Sequence, residues 1–256
     1  MSNGERREAE RGLIGQCPIC EVPLKPKCGR IRVPYWSHPP GHFEHRWEPE
    51  TEWHRNWKNA FPKEWQEVGH RAENGERHLA DVKTAHGQVL EFQHSNISDD
   101  ERSSREAIYG QMCWVVDGMR SKNDRKKFVT ALHLGRLVPG SFRTYIVPTG
   151  SSELLRKWEN SQKLVMFDFG ELEEFSDPFR FGAPVLWGAL PGWKNGEAVL
   201  RPIYRTGFLD SMTKNEPLVG IEGALEPLRV EAQPRLAPRG HRRLDSNVHS
   251  RRYRIR

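Results

Sequence analysis

Long apolar runs are missing from this chain. No stretch of about 18 consecutive apolar residues occurs, and the mean hydropathy is −0.77, so no membrane-spanning helix is expected. The opening MSNGERREAERG lacks the apolar core of a secretory signal, which makes the cytoplasm the expected location. Cysteine is also scarce. The four thiols, Cys17, Cys20, Cys28 and Cys113, are too few and too unevenly spaced for the disulfide framework of a secreted domain. Aliphatic residues are thin from Gln16 to His45, where Cys, His, Pro and Gly take their place, so this segment needs a metal or a neighbour to hold it. Internal repeats are absent.

What is present divides unevenly. The 256 residues leave room for one sizeable domain with additions, or two small ones. The net charge of +6 sits in the tail: Arg229 to Arg256 holds nine arginines against Glu231 and Asp245, a net +7, and the remainder is close to neutral. Such a Pro-interrupted basic terminus cannot build a core. Arg242, Arg243, Arg251 and Arg252 are its candidate contacts to phosphate backbones. We expect a Cys/His segment over 1–48, a central core over 49–127, a β-rich extension over 128–228 and the basic tail over 229–256.

The densest chemical information lies in RHLADVKTAHGQVLEFQ, residues 77–93. Ala85, His86 and Gly87 suit a three-residue hairpin loop with Gly in the left-handed position, which sets Asp81 opposite Glu91. Strand alternation then predicts Asp81, Glu91 and Gln93 on one face, with Ala80, Val82, Leu90 and Phe92 on the other. Two carboxylates at cross-strand distance repel unless a proton or a cation lies between them, and hard oxygen ligands suit Mg²⁺ or Mn²⁺. The plain alternative is a pair of solvated acids on an open hairpin face. Downstream, Ser98-Asp-Asp-Glu101 is a capping box that opens a helix carrying Arg105 and Tyr109, and Met112 to Val116 reads as a strand.

Upstream, ETEWHRNWKNAFPKEW is a helix ended near Pro62, followed by a short strand around Trp65 to Val68. His54 and Lys58 are spaced i, i+4, with Glu50 one turn earlier, and Trp53, Trp57 and Phe61 form the stripe that docks on a sheet. Either Glu50 or Glu52 is placed to reach a bound water, and Glu67 on the following strand is a further acid near that edge.

The order helix, three strands, helix, strand, with Asp on the second strand and Glu-x-Gln on the third, resembles the core of the PD-(D/E)xK nuclease superfamily. More closely, Glu52-Trp53-His54, Lys58, Ala80-Asp81-Val82, Glu91-Phe92-Gln93, Ser95, Ile97-Ser98, Arg105-Glu-Ala, Tyr109 and Trp114-Val-Val-Asp117 are similar to the competence protein CoiA-like nuclease family. The similarity spans about Gln16 to Gly118. It implies an α/β fold with a restriction-endonuclease-like mixed sheet flanked by helices, and a metal-dependent deoxyribonuclease acting on DNA in uptake, recombination or defence, beside other DNA-processing proteins. Asp81 and Glu91 would hold the metal, with Gln93, His54 and Lys58 as the other catalytic groups and Arg105 and Ser95 toward DNA. The superfamily usually has Lys where this chain has Gln93, and Gln can orient a water but cannot take its proton; Lys58 is long enough to supply the missing ammonium from the helix. The alternative is a DNA-binding or scaffold protein on the same fold without turnover.

Cys17-Pro-Ile-Cys20 has the bite of half a zinc site. Cys28, His38, His42 and His45 are candidates for the other half, and Cys17, Cys20, Cys28 and His38 are the set expected, with ordinary buried thiols as the alternative reading of the pair. Nothing in the sequence fixes an oligomeric state.

Overall fold

The computed structural model describes residues 7–17, 20–30, 34–40, 50–71, 77–141, 143–171, 184–191, 193 and 195–216. The tail arginines 242, 243, 251 and 252, together with His42 and His45, lie outside the described residues. The chain opens with three short strands, β1 (Gly15–Gln16), β2 (Pro23–Lys27) and β3 (Tyr35–Ser37), paired as an antiparallel sheet in that order. Its small core consists of Ala9, Cys17, Leu24 and Trp36, as thin as the sequence led us to expect.

Helix α1 (Glu52–Asn59) follows, with Thr51 capping it by accepting from the His54 amide. Then come β4 (Gln66–Arg71), β5 (Arg77–Lys83), β6 (Val89–Gln93), α2 (Asp99–Ile108) and β7 (Met112–Asp117). Past these lie α3 (Lys122–Leu134), β8 (Arg136–Leu137), β9 (Tyr145–Pro148), α4 (Glu153–Trp158), β10 (Leu164–Asp168), β11 (Val185–Ala189), β12 (Glu197–Tyr204) and α5 (Arg205–Lys214). A mixed nine-stranded sheet, in the order β4-β5-β6-β7-β10-β11-β12-β9-β8, takes strands from both sides of residue 128. Its centre is parallel, β6 on β7 and β7 on β10, and the remaining pairs are antiparallel.

The central strands β6 and β7 are buried at every position, as parallel strands covered on both faces require. On one face Trp114, Phe167 and Phe169 pack with Tyr109, Phe128, Leu155 and Trp158 from the segment at α2 and from α3 and α4. On the other, Leu90, Phe92, Val115 and Met166 pack with Trp57 of α1 and Phe208 of α5. The architecture is therefore mixed α/β with helices on both sheet faces. Gly118, directly after β7, lets the Phe169 ring come within 2.3 Å of where a Cβ would stand.

Helix α3 is marked in the sequence only by its cap and its second half. Ser121 caps it by accepting from the Asp124 amide at 3.2 Å, and Phe128 and Ala131 are fully buried. The first two turns are almost wholly polar, so the apolar face emerges only in its second half. Helix α5 was not expected; Phe208 anchors it and Asn215, at φ 58°, closes it.

Candidate functional site

The hairpin forms in the expected register. Thr84 N donates to Gln88 O at 2.9 Å, Gly87 sits at φ +86°, and Val82 pairs with Leu90 and Lys83 with Val89. The face assignment needs one correction. Ala80 belongs to the Trp114 core, whereas Val82, Leu90 and Phe92 belong to the Trp57 core, so alternation breaks at Asp81. The cause is visible: Asp81 Oδ2 accepts from the Phe92 amide at 2.8 Å, and the β5–β6 ladder stops at Val82. The two strands part there, and the gap is lined by charge.

Helix α1 fills one side of that gap. Gln66 donates its amide to the Lys58 and Phe61 carbonyls, each at 2.8 Å, which pins the end of α1 to β4. His54 Nε2 stands 2.8 Å from Asp81 Oδ1, a charge contact without the alignment of a hydrogen bond. Lys58 Nζ reaches Glu67 Oε1 at 2.7 Å and also contacts Glu50 Oε1. Glu67 holds a left-handed φ of 48°, which an L-residue adopts only under constraint, and the β4–β5 ladder passes from Gln66 to Val68 around it. No local sequence signal marks that conformation, which is why the facing of Glu67 was not legible. Glu52 contributes no contact to this cluster among the described residues, so Glu50 is the acid that reaches it.

From the other side, Arg105 on α2 donates to Glu91 Oε2 at 2.6 Å and to Glu101 Oε1 at 2.8 Å. Its guanidinium, assigned from the sequence to DNA, is thus engaged by two acids. Glu91 Oε1 and the Tyr109 hydroxyl are both buried, and the hydroxyl faces the Glu91 carboxylate in a loosely aligned contact. Gln93 donates to the Ser95 carbonyl at 3.0 Å and is held by the loop after β6, while Ser95 itself is exposed.

Burial sets the electrostatics. It is the largest influence on Glu91 and pushes its carboxyl up to about 8; the Arg105 guanidinium opposes the rise and the Asp81 charge adds to it. Burial would also raise Asp81, but the charge and contact of His54, then Lys58 and the Phe92 amide, outweigh it and hold Asp81 below its ordinary value. Burial would lower His54, but the charge and contact of Asp81 together with Glu50 outweigh it; burial would lower Lys58, and Glu67, Glu50 and Asp81 outweigh it there. The cluster therefore favours an ionised Asp81 and protonated His54 and Lys58, beside a Glu91 whose burial favours the neutral acid.

A second cluster is built from thiols. Cys17 after β1, Cys20 and His38 after β3 bring their ligand atoms within 4.8 Å of one another, the grouping of this kind found among the described residues. Cys20 Sγ lies 3.4 Å from His38 Nε2. The arrangement suits a metal such as zinc. Cys28, expected as a further ligand, is not part of it: its thiol points at the Ala9 carbonyl, 3.5 Å away. Among the described residues the hairpin carboxylates belong to no such grouping; Asp81 faces His54 and Glu91 faces Arg105. Protein purified without chelator is expected to carry about one equivalent of zinc, and Cys20→Ser to lose it, because the thin core around Trp36 needs the crosslink. Elemental analysis finding less than about half an equivalent would overturn that expectation.

The two clusters share a wall. Arg55 on α1 donates to the Pro34 carbonyl just before β3 at 3.2 Å and to Glu50 at 3.2 and 3.3 Å, and it faces Glu8 at 3.8 Å. A cavity of about 340 Å³ lies between, lined by Tyr35 and Trp36 on one side and by Glu50, Lys58 and Glu67 on the other. No family model, curated protein or solved structure matches the chain.

Proposed function

We propose that the chain is a metal-dependent DNA nuclease of the CoiA-like type, with a restriction-endonuclease-like core and a role in DNA uptake, recombination or defence alongside other DNA-processing proteins. The observation that carries this reading is the meeting of Asp81, Glu91, His54, Lys58 and Arg105 where β5 and β6 part. That donor set fits a hard divalent cation, since two carboxylates on adjacent strands offer it hard oxygen ligands. Asp81 and Glu91 would hold Mg²⁺ or Mn²⁺, which when bound polarises a phosphoryl oxygen and lowers the pKa of a water.

The chain's own groups supply the rest. Lys58 brings a permanent positive charge toward the phosphate, and Glu50 and Glu67 fix where that charge stands. Arg105 orients Glu91 through one nitrogen and is itself fixed to Glu101 through another. Gln93, tied to Ser95, shapes the loop after β6 and carries no charge to the reaction.

A second reading, a DNA-binding or scaffold protein without turnover, draws on the pairing of Asp81 with His54 and Glu91 with Arg105, which neutralises both acids without any metal. Incubation of plasmid and single-stranded DNA with the protein in Mg²⁺, Mn²⁺ or EDTA separates the two. We expect cleavage in either metal and none in EDTA. DNA binding with no cleavage under any of these conditions would establish the second reading.

A further inference from the structure

The geometry points to His94 as a catalytic acid at the mouth of this site, held in place by Asp117 as a positioning residue; the assignment rests on the nuclease reading above. Hydrolysis of a phosphodiester leaves an alkoxide that needs a proton, and an imidazole is the usual donor near neutral pH. The sequence suggested His54 for such work. Its ring is only 7 % exposed and its Nε2 faces Asp81, so it is committed to a carboxylate that the nuclease reading assigns to the metal.

His94 is placed differently. It follows β6 directly, three residues after Glu91 and two after Phe92. Its ring centroid is 6.4 Å from that of Trp53, which in turn is 6.5 Å from that of His54, so the two imidazoles flank one indole. Nδ1 lies 2.6 Å from Asp117 Oδ2, and the other Asp117 oxygen accepts from the Met119 amide at 2.8 Å. Asp117 is buried, whereas the His94 side chain is 32 % exposed, and no described residue engages Nε2. A carboxylate fixed at Nδ1 sets the tautomer and turns Nε2 outward, ready to exchange a proton with a bound molecule.

The surroundings agree. Asp117 ends β7 and pairs in parallel register with Asp168, which ends β10. Asp168 accepts the Trp53 and Trp57 indole protons at 3.0 and 2.8 Å, so it holds the indole wall on which His94 leans. His94, Asp117 and Asp168 thus stand at the carboxyl ends of three adjacent parallel strands, the edge at which open α/β sheets form their clefts. The titratable groups facing His94 are Asp117 from β7, His54 across Trp53 from α1, and Asp168 behind Trp53 from β10.

Water oxygen forms the new bond to phosphorus and loses its proton to solvent, while the bond from phosphorus to the leaving oxygen breaks. The His94 imidazolium gives its Nε2 proton to that oxygen, keeps Nδ1–H on Asp117, and is reprotonated from solvent.

The test uses the full chain and DNA in which sulfur replaces either bridging oxygen of one phosphodiester, because a thiolate leaves without a proton. His94→Gln is expected to cut ordinary DNA about 10²- to 10⁴-fold more slowly with KM within about twofold, and to cut the bridging-sulfur substrate at close to the wild-type rate. Exogenous imidazole is expected to restore part of the rate of His94→Ala. In chelator-treated protein, ¹⁵N NMR should show His94 carrying its proton on Nδ1, and Asp117→Asn should abolish that preference. Equal slowing of His94→Gln on both substrates, an unchanged rate on ordinary DNA, or a wild-type Nε2–H tautomer would overturn the proposal while leaving the nuclease reading standing. A wild-type protein that cuts neither substrate in Mg²⁺ or Mn²⁺ would overturn both.

Discussion

Asp81→Asn is expected to abolish metal-dependent cleavage, a loss on the order of 10³-fold or more, while the protein stays folded. Metal-bound stabilisation of a phosphoryl transition state is worth several kcal/mol, and each 1.4 kcal/mol is about tenfold in rate. The asparagine keeps an oxygen for the Phe92 amide, so the junction of β5 and β6 survives. Asp81→Ala is a different experiment. It strips a buried acceptor from the Phe92 amide and a counter-charge from His54, and is expected to cost about 2–4 kcal/mol of stability. Repulsion between two facing acids would by itself make emptying this position cheap; the contacts to His54 and Phe92 reverse that.

The pH dependence of the same pair has a definite sign. His54 is raised above 6.5, so its contribution is fully present below that value and is lost as pH rises through its folded pKa. Asp81 is lowered below 3.8, so its contribution is present above that value and is lost as pH falls through its folded pKa. The stability gap between wild type and Asp81→Asn should therefore be widest between about pH 4 and 6.5 and shrink on the alkaline side. Denaturant melts across this range measure it, and a gap independent of pH would remove His54 from the account. Wild-type cleavage by Asp81→Asn would remove Asp81.

How much of this was legible depended on whether the controlling interaction was local. The hairpin loop, the Ser98 cap and the pairing of Val82 with Leu90 beside the loop are decided within about ten residues of sequence, and each formed as read. The strand Met112–Asp117 announced itself as an apolar run. The parting of β5 from β6 did not, because it depends on a side chain taking the place of a ladder partner at the Phe92 amide. The left-handed Glu67 is set by Lys58 arriving from another element. His94 and Asp117 are 23 residues apart and meet only because β6 and β7 run parallel. Asp117 was visible as part of a motif, yet nothing in the motif named its partner. The buried Glu106, which accepts from Trp114 Nε1, Ser161 Oγ and the Gln162 amide, is the same kind of case: it looks like one more acid on a charged helix until the sheet closes over it.

Lys58→Met is expected to lower turnover on the order of 10²- to 10³-fold while DNA affinity stays within about twofold, the signature of a contact that strengthens only in the transition state. Gln93 cannot compensate, since it carries no charge and its amide is held by Ser95. Met keeps much of the length and packing of the aliphatic stem and removes only the ammonium. What remains is Glu50, still held by Arg55, and a Glu67 side chain that is 30 % exposed and can turn to solvent, so the cost in stability should be about 1–3 kcal/mol rather than global unfolding. Because Lys58 is raised above 10.5, it stays charged across the working range, and its contribution is lost only as pH rises through its folded pKa. The defect of Lys58→Met should then be flat from about pH 6 to 9, in contrast to the pH-dependent gap expected at Asp81. Lys58→Arg should restore charge but only part of the rate, because a planar guanidinium does not fit between Glu50 and Glu67 as a point charge does. Single-turnover cleavage and equilibrium binding of the same DNA decide the matter. A loss confined to affinity, with turnover at saturation unchanged, would make Lys58 a phosphate anchor and leave the reaction without its helix-borne cation.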